Sequence, residues 1–152
     1  MILKRKRNGR TNYKKRLSLL KSDQARLVVR RSNTQIIMQL VEYLPKGDKI
    51  VASSSSGTLK KLGWKGSTNN IPAAYYTGYA LGNAMKGKKA ILDIGLQKPH
   101  KGGRVYAAVK GAIDGGLAIK ASEEVLPGQE KIEGSNIKNK EDIATIKKKL
   151  GK

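Results

Sequence analysis

The apolar positions change their period several times along the chain, and each change predicts an element. Tyr13, Leu17 and Leu20 follow the i, i+4, i+7 spacing of a narrow helical stripe. This spacing predicts a helix over 12–21, capped by Thr11, with Lys14, Lys15, Arg16 and Lys21 turned to solvent or phosphate. Residues 26–31 are rich in β-formers, Ser32-Asn33 reads as a tight turn, and 34–42 carries Ile36, Ile37, Met38, Leu40 and Val41. A turn at 45–48 and a strand at 49–53 complete a predicted three-stranded antiparallel meander, which the hydroxyl run Ser53, Ser54, Ser55, Ser56 then leaves.

The second half alternates helices and strands. A short helical piece at 58–62 and the loop containing Trp64, Lys65 and Gly66 precede a helix capped by Asn69 or Asn70 and running to about position 86, with Pro72 in its first turn. Ala74, Gly78 and Gly82 are four apart, a line of small residues expected to pack closely against the sheet. Residues 90–94 predict a short buried strand, parallel to its neighbour because a helix separates it from the previous one. A polar loop at 95–103, a helix at 104–113 stopped by Gly115-Gly116, and a last short strand near 117–121 follow. In the tail, Asn139 as cap, Glu141 and Asp142 in the first turn and Lys147–Lys149 in the last predict a helix with Ile143, Ile146 and Leu150 on one edge. The expected fold is α/β: a mixed sheet, made of a three-stranded antiparallel meander plus a parallel strand, with packed helices and a basic N-terminal arm. The expected divisions are 1–21 (arm with short helix), 22–128 (α/β domain) and 129–152 (C-terminal tail with helix).

Charge narrows the function. The chain of 152 residues carries a formal charge of +21, and residues 1–31 hold twelve Lys or Arg against one acid, Asp23. Such a block seeks a polyanion, most commonly nucleic acid. After Lys110 eight basic residues face seven acids, so the tail is not a second basic arm. The absence of cysteine removes disulfides, thiolate metal sites and cysteine nucleophiles. No signal-like or membrane-spanning apolar run occurs, and a cytoplasmic protein without membrane partner is expected.

Enzymatic readings find little support. Residues 82–89 nearly spell a phosphate loop, but Lys89 stands where Ser or Thr would hold magnesium, and the segment closes a helix instead of opening one. His100 is the single histidine, with no neighbouring ligand in sequence. Residues 32–110 offer only Glu42, Asp48 and Asp93 as carboxylates, and Asp93 reads as a strand-end group that pairs with Lys or Arg or accepts backbone N–H bonds. No catalytic residue, metal, cofactor or small-molecule substrate is expected. The serines of 53–56 either contact phosphate oxygens or simply end a strand.

The segments TNYKKRL, ARLVVRRSN, PKGDKIVAS, LKKLGWKG, NNIPAAYYTG, ILDIGLQKP, RVYAAVKGAIDGGL and EEVLPGQEKIEG occur in that order over roughly residues 5–135. Together they resemble the archaeal and eukaryotic branch of the large-subunit ribosomal protein family L-eighteen. The resemblance implies a non-enzymatic protein that binds 5S rRNA and attaches it to large-subunit rRNA in the central protuberance, beside the L-five family protein. It implies RNA contacts by Arg5, Lys6, Arg7, Asn8, Arg10, Thr11, Tyr13, Lys15 and Arg16. It extends them to Arg30, Arg31, Ser32, Asn33, Ser54, Ser55, Ser56, Lys60, Lys61, Trp64, Lys65 and Gly66. Tyr13 and Trp64 are left with two roles each, stacking on bases or packing in the protein. The long C-terminal extension of eukaryotic members has no counterpart, so contacts made there are not expected. Two alternatives of other classes are a non-specific polyanion binder and a nucleic-acid-processing enzyme.

Overall fold

A computed structural model describes residues 4–134 and 140–151, with the side chains of 140–142 excepted. Positions 1–3 of the arm and the cap expected at Asn139 lie outside the described residues, as do the side chains of Glu141 and Asp142. Five strands form one mixed sheet in the order β3-β2-β1-β4-β5. They are β1 (Ala25–Arg31), β2 (Ile36–Leu44), β3 (Gly47–Ser55), β4 (Lys89–Asp93) and β5 (Ala118–Ile119). The first three make the antiparallel meander; β4 lies parallel to β1 and β5 parallel to β4. The helices are α1 (Lys4–Arg7), α2 (Tyr13–Leu20), α3 (Ile71–Ala84), α4 (Arg104–Asp114), α5 (Gln129–Ile132) and α6 (Lys140–Leu150), with a 3₁₀ turn at Ser56–Leu62.

The period-two alternation of the strands divides the sheet into two unlike faces. Leu27, Val29, Ile36, Met38 and Leu40 are fully buried and join Ala73, Ala74, Tyr76, Ala108 and Val109 in one core, so α3 and α4 cover this face. Burying each large aliphatic side chain is worth about 1.5–3 kcal/mol. Ile132, Ile143 and Ile146 belong to the same core, which draws α5 and α6 onto the domain.

Local chemistry sets the helix limits. The Asn70 side chain accepts from the Ala73 amide at 2.8 Å and Pro72 lies in the first turn, so α3 begins where both signals coincide. At the end of α4, Gly116 takes φ +109°; its N–H donates to Ile113 O (2.9 Å) and Leu117 N–H donates to Ala112 O (3.0 Å), the two-bond stop that requires a left-handed residue.

Three expectations are corrected here. The small-residue line of α3 packs on α4 rather than on the sheet: a Cβ on Gly78 would meet Ala108 O at 1.9 Å, and one on Gly111 of α4 would meet Tyr75 O at the same distance. Strand β2 is shifted two residues later than expected, because Ser32 Oγ accepts from the Thr34 and Gln35 amides and holds 32–35 as a turn, and β3 runs two residues further than expected at each end. The serines at 53–55 do not leave the sheet but pair with Gln39, Met38 and Ile37.

Candidate nucleic-acid interface

The face of the sheet away from α3 and α4 presents Arg26, Val28 and Arg30 from β1, Gln39 and Val41 from β2, Ile50 from β3 and Asp93 from β4. The arm crosses this face and encloses a cleft of about 610 Å³. Asn12, not Thr11, caps α2: its side chain accepts from the Lys15 amide at 3.1 Å, while Thr11 Oγ1 accepts from Arg5 Nε at 3.1 Å. The docking side of α2 also differs from the expected stripe. Leu17 is 60% exposed, whereas Arg16, Leu19 and Leu20 are half-buried.

Asp48 explains that rotation. Its Oδ2 accepts from Arg16 Nη2 and from Arg26 Nη2, both at 2.7 Å, and Arg26 Nη1 donates to Asp93 Oδ2 at 2.9 Å. Arg26 is 4% exposed, so its charge is buried against carboxylate partners, Asp48 and Asp93. Asp93 is used in full: its Oδ1 accepts the Gly95 amide at 2.9 Å, and the Arg30 guanidinium lies 3.7 Å away. Arg30 also donates to the carbonyls of Val29 and Asp93, both at 3.0 Å, and Lys15 Nζ reaches Gly95 O at 3.3 Å. Six cationic side chains line the cleft (Arg5, Arg10, Lys15, Arg16, Arg26, Arg30) against two carboxylates, leaving a surplus of four positive charges. Lys4, Arg5, Lys6, Arg7, Asn8 and Arg10 are exposed along the arm, and Tyr13 is half-buried.

The remaining sequence-selected residues gather at the far end of β1. There the Ser32-Asn33 turn is tied to the loop before α3: Thr68 Oγ1 donates to Thr34 O and Asn69 Nδ2 to Asn33 O, both at 2.7 Å. Lys60 and Lys61 are exposed on the 3₁₀ turn and Lys65 on the segment after it, and Ser54 and Ser55 are half-buried on edge strand β3, with Ser55 Oγ bonded to Thr58 Oγ1 at 3.1 Å. Two selected residues are not surface groups. Trp64 is 3% exposed in the core, its Nε1 donating to Ser67 O at 3.0 Å, so packing is its role. Ser56 is fully buried and its Oγ accepts the Ile36 amide at 2.9 Å, which stitches β2 to the 3₁₀ turn.

Sequence reasoning missed the residues that organise the site. Asp48 was visible only as a turn residue and Arg26 only as a strand residue, since nothing local reveals a contact spanning 67 positions in sequence, as Arg26–Asp93 does. Gln97 was also missed. It donates to Val29 O (2.9 Å) and Ile94 O (3.3 Å) and accepts from the Arg31 amide (3.3 Å), fastening the loop after β4 to the end of β1. Among the described residues no three His, Cys, Asp or Glu side chains are grouped to hold a metal ion, and no helix is long and apolar enough to cross a membrane.

Comparison with known proteins adds an independent line. The family model described as "Ribosomal large subunit proteins 60S L5, and 50S L18" matches residues 1–89 and 82–122. A large ribosomal subunit protein uL18 of Methanoregula boonei is 45% identical, covering 99% of this chain and 95% of its own length. The uL18 of Aeropyrum pernix is 49% identical over 89% of this chain, which spans 65% of that relative, and the uL18 of Thermofilum pendens is 48% identical over 90% of the chain and 71% of its own length.

Proposed function

Because the chain belongs to the family of large-subunit ribosomal proteins that takes in 60S L5 and 50S L18, we propose that it binds 5S rRNA and attaches it to large-subunit rRNA in the central protuberance, beside the L-five family protein. Its relatives are structural components of the large ribosomal subunit, which implies work by binding rather than by turnover. The observation that carries the reading is the cationic surplus of the cleft between α2 and the open face of the sheet, continued along the exposed arm.

Phosphates entering this surface release their condensed counterions, which supplies affinity without reading sequence. Specificity then comes from RNA shape and from unpaired bases, since side chains do not read the narrow major groove of A-form RNA. In this reading Arg5, Lys6, Arg7, Asn8, Arg10, Thr11 and Lys15 take phosphates, and Tyr13 is the stacking side chain. Arg16 and Arg30 hold the arm and the loop after β4 as well as adding charge. Arg31, Ser32, Asn33, Ser54, Ser55, Lys60, Lys61, Lys65 and Gly66 form the second, distal contact. Trp64 and Ser56 act behind that surface by packing.

The test compares the full chain with a Lys6→Ala/Arg7→Ala/Arg10→Ala variant on 5S rRNA and on an unrelated RNA of equal length, at several salt concentrations. Wild type should prefer 5S rRNA, and the variant's log–log salt slope should be shallower by about 2–3, near 0.7–0.9 for each phosphate no longer neutralised. Equal affinity of wild type for both RNAs would replace this reading with general polyanion binding. An unchanged slope would remove the arm from the interface.

A further inference from the structure

A second concavity, of about 460 Å³, opens between the first turns of α3 and α4. That volume lies in the range of roughly 300–1,000 Å³ usual for small-ligand sites. Its apolar lining is Ile71, Pro72, Pro99 and Val105, its cationic lining Arg31, Arg104 and Lys131, and Asn70 and His100 add two uncharged polar groups; among the described residues no carboxylate lines it. Both helices also direct their N-terminal, positive ends toward it.

We propose that this pocket takes one unpaired nucleotide of ribosomal RNA, with the base on the apolar floor and its phosphate against Arg31, Arg104 and Lys131. The inference rests on the rRNA-binding reading above and adds a site to it. The distribution of polarity selects the ligand class. A flat ring with apolar faces and one anionic end matches an apolar floor with a cationic rim. An acidic peptide would instead bring backbone N–H and C=O groups onto a floor that has few partners for them, at an uncompensated desolvation cost.

The position supports the same ligand. Arg30 and Arg31 are consecutive in β1, and Arg30 lines the arm cleft while Arg31 lines this pocket. The two lie on opposite faces of the sheet, and the loop after β4, held to β1 through Gln97, lines both where they meet round the end of β1. An RNA strand lying in the cleft therefore meets the pocket at the end of the same strand, where an unstacked base is the part of RNA that side chains can read. Arg104 is preset for this: its Nη1 donates to Asn69 O at 3.0 Å, which fixes the guanidinium at the mouth.

The experiment is chemical probing of 5S rRNA and of large-subunit rRNA bound to the full chain, comparing wild type with Ile71→Trp, which fills the floor, and Arg31→Ala/Lys131→Ala, which strips the rim. Both substituted rim residues are exposed, so the double variant reports even where the tryptophan variant unfolds. One unpaired nucleotide protected by wild type should become reactive in both variants, and loss of its contact with the pocket should weaken binding by about 5- to 20-fold, with the salt slope little changed in Ile71→Trp and shallower by about 0.7–0.9 in the rim variant, for the one phosphate no longer neutralised. Identical reactivity at every nucleotide, with the RNA still bound, overturns the pocket alone. Failure of wild type to retain either RNA overturns the rRNA-binding reading, and the pocket with it. Amide shifts at Ile71 and Val105 caused by a Glu-Leu-Asp-Leu peptide, but not by adenosine monophosphate, would assign the pocket to a protein partner instead.

Discussion

Replacing Asp48 by alanine should loosen the arm from the domain, and the structure sets the size of the effect. One carboxylate oxygen holds Arg16 and Arg26 together, each at 2.7 Å. Arg16 is partly exposed, so its share of the bridge is worth about 0.2–1 kcal/mol. Arg26 is buried and retains Asp93, so it is not stranded; it loses one charged hydrogen bond, about 1.5–3 kcal/mol. The total, about 2–4 kcal/mol, corresponds to a fall in Tm of roughly 4–15 °C for a chain of this size. Thermal unfolding by circular dichroism measures the fall, and hydrogen exchange of the amides at 16–20 measures release of α2. An Arg16→Ala/Asp48→Ala double variant should recover a coupling near 0.2–1 kcal/mol. A Tm within about 2 °C of wild type, with exchange in α2 unchanged, would refute the view that Asp48 joins arm and sheet.

Other substitutions probe the core. Gly78→Ala would set a methyl 1.9 Å from Ala108 O where about 3.3 Å is needed, forcing α3 and α4 apart; a net loss of about 1–3 kcal/mol or more in urea unfolding is expected despite alanine's better helix propensity. Ser56→Ala leaves the buried Ile36 amide without its acceptor and should cost about 1–3 kcal/mol, read as a lower urea midpoint with an unchanged m-value. Burial pushes the Tyr76 hydroxyl up to about 12, and burial together with its hydrogen bond to Asp114 pushes Tyr75 higher still. Both tyrosines remain neutral in the folded chain while the unfolded chain ionises near pH 10, so their stabilising contribution is complete below pH 10 and is lost as pH rises toward 12. Alkaline titration of unfolding should show this decline, and Tyr76→Phe should make it shallower by removing one of the two contributions.

The elements that the sequence made legible are those whose signals are local. Asn70 with Pro72, and Gly115-Gly116, state the ends of helices through bonds that span three to five residues, and the structure places both helices within two residues of expectation at those ends. The parallel placement of β4 followed from a connection constraint, which is equally independent of side-chain detail. The site was read less well because its geometry depends on distant partners. An apolar stripe on α2 was expected to face the protein, but the open sheet face offers a carboxylate, so Arg16 turns inward and Leu17 outward. Trp64 and Ser56 sit in segments rich in surface-type residues, and only tertiary packing shows that they point into the core. The partner of the α3 glycine line had a signal that went unused: Ala108, Ala112 and Gly111, Gly115 repeat the same four-residue interval on α4.

The docking of α6 has a temporal consequence. Ile143 and Ile146 are buried, and Lys149 Nζ donates to Leu62 O at 2.8 Å, so the last helix closes over the 3₁₀ turn that precedes Trp64. During synthesis the sheet, α3 and α4 are available long before this cover. At about 5–20 residues per second, the interval between Ile119, where β5 ends, and Ile146 lasts roughly 1–5 seconds. For that time a newly made chain exposes the flank of its core beside a strongly basic arm, a combination that attracts both apolar and anionic company. Completing the helix ends the first attraction and leaves the second, so only the anionic partner is still drawn to the finished domain.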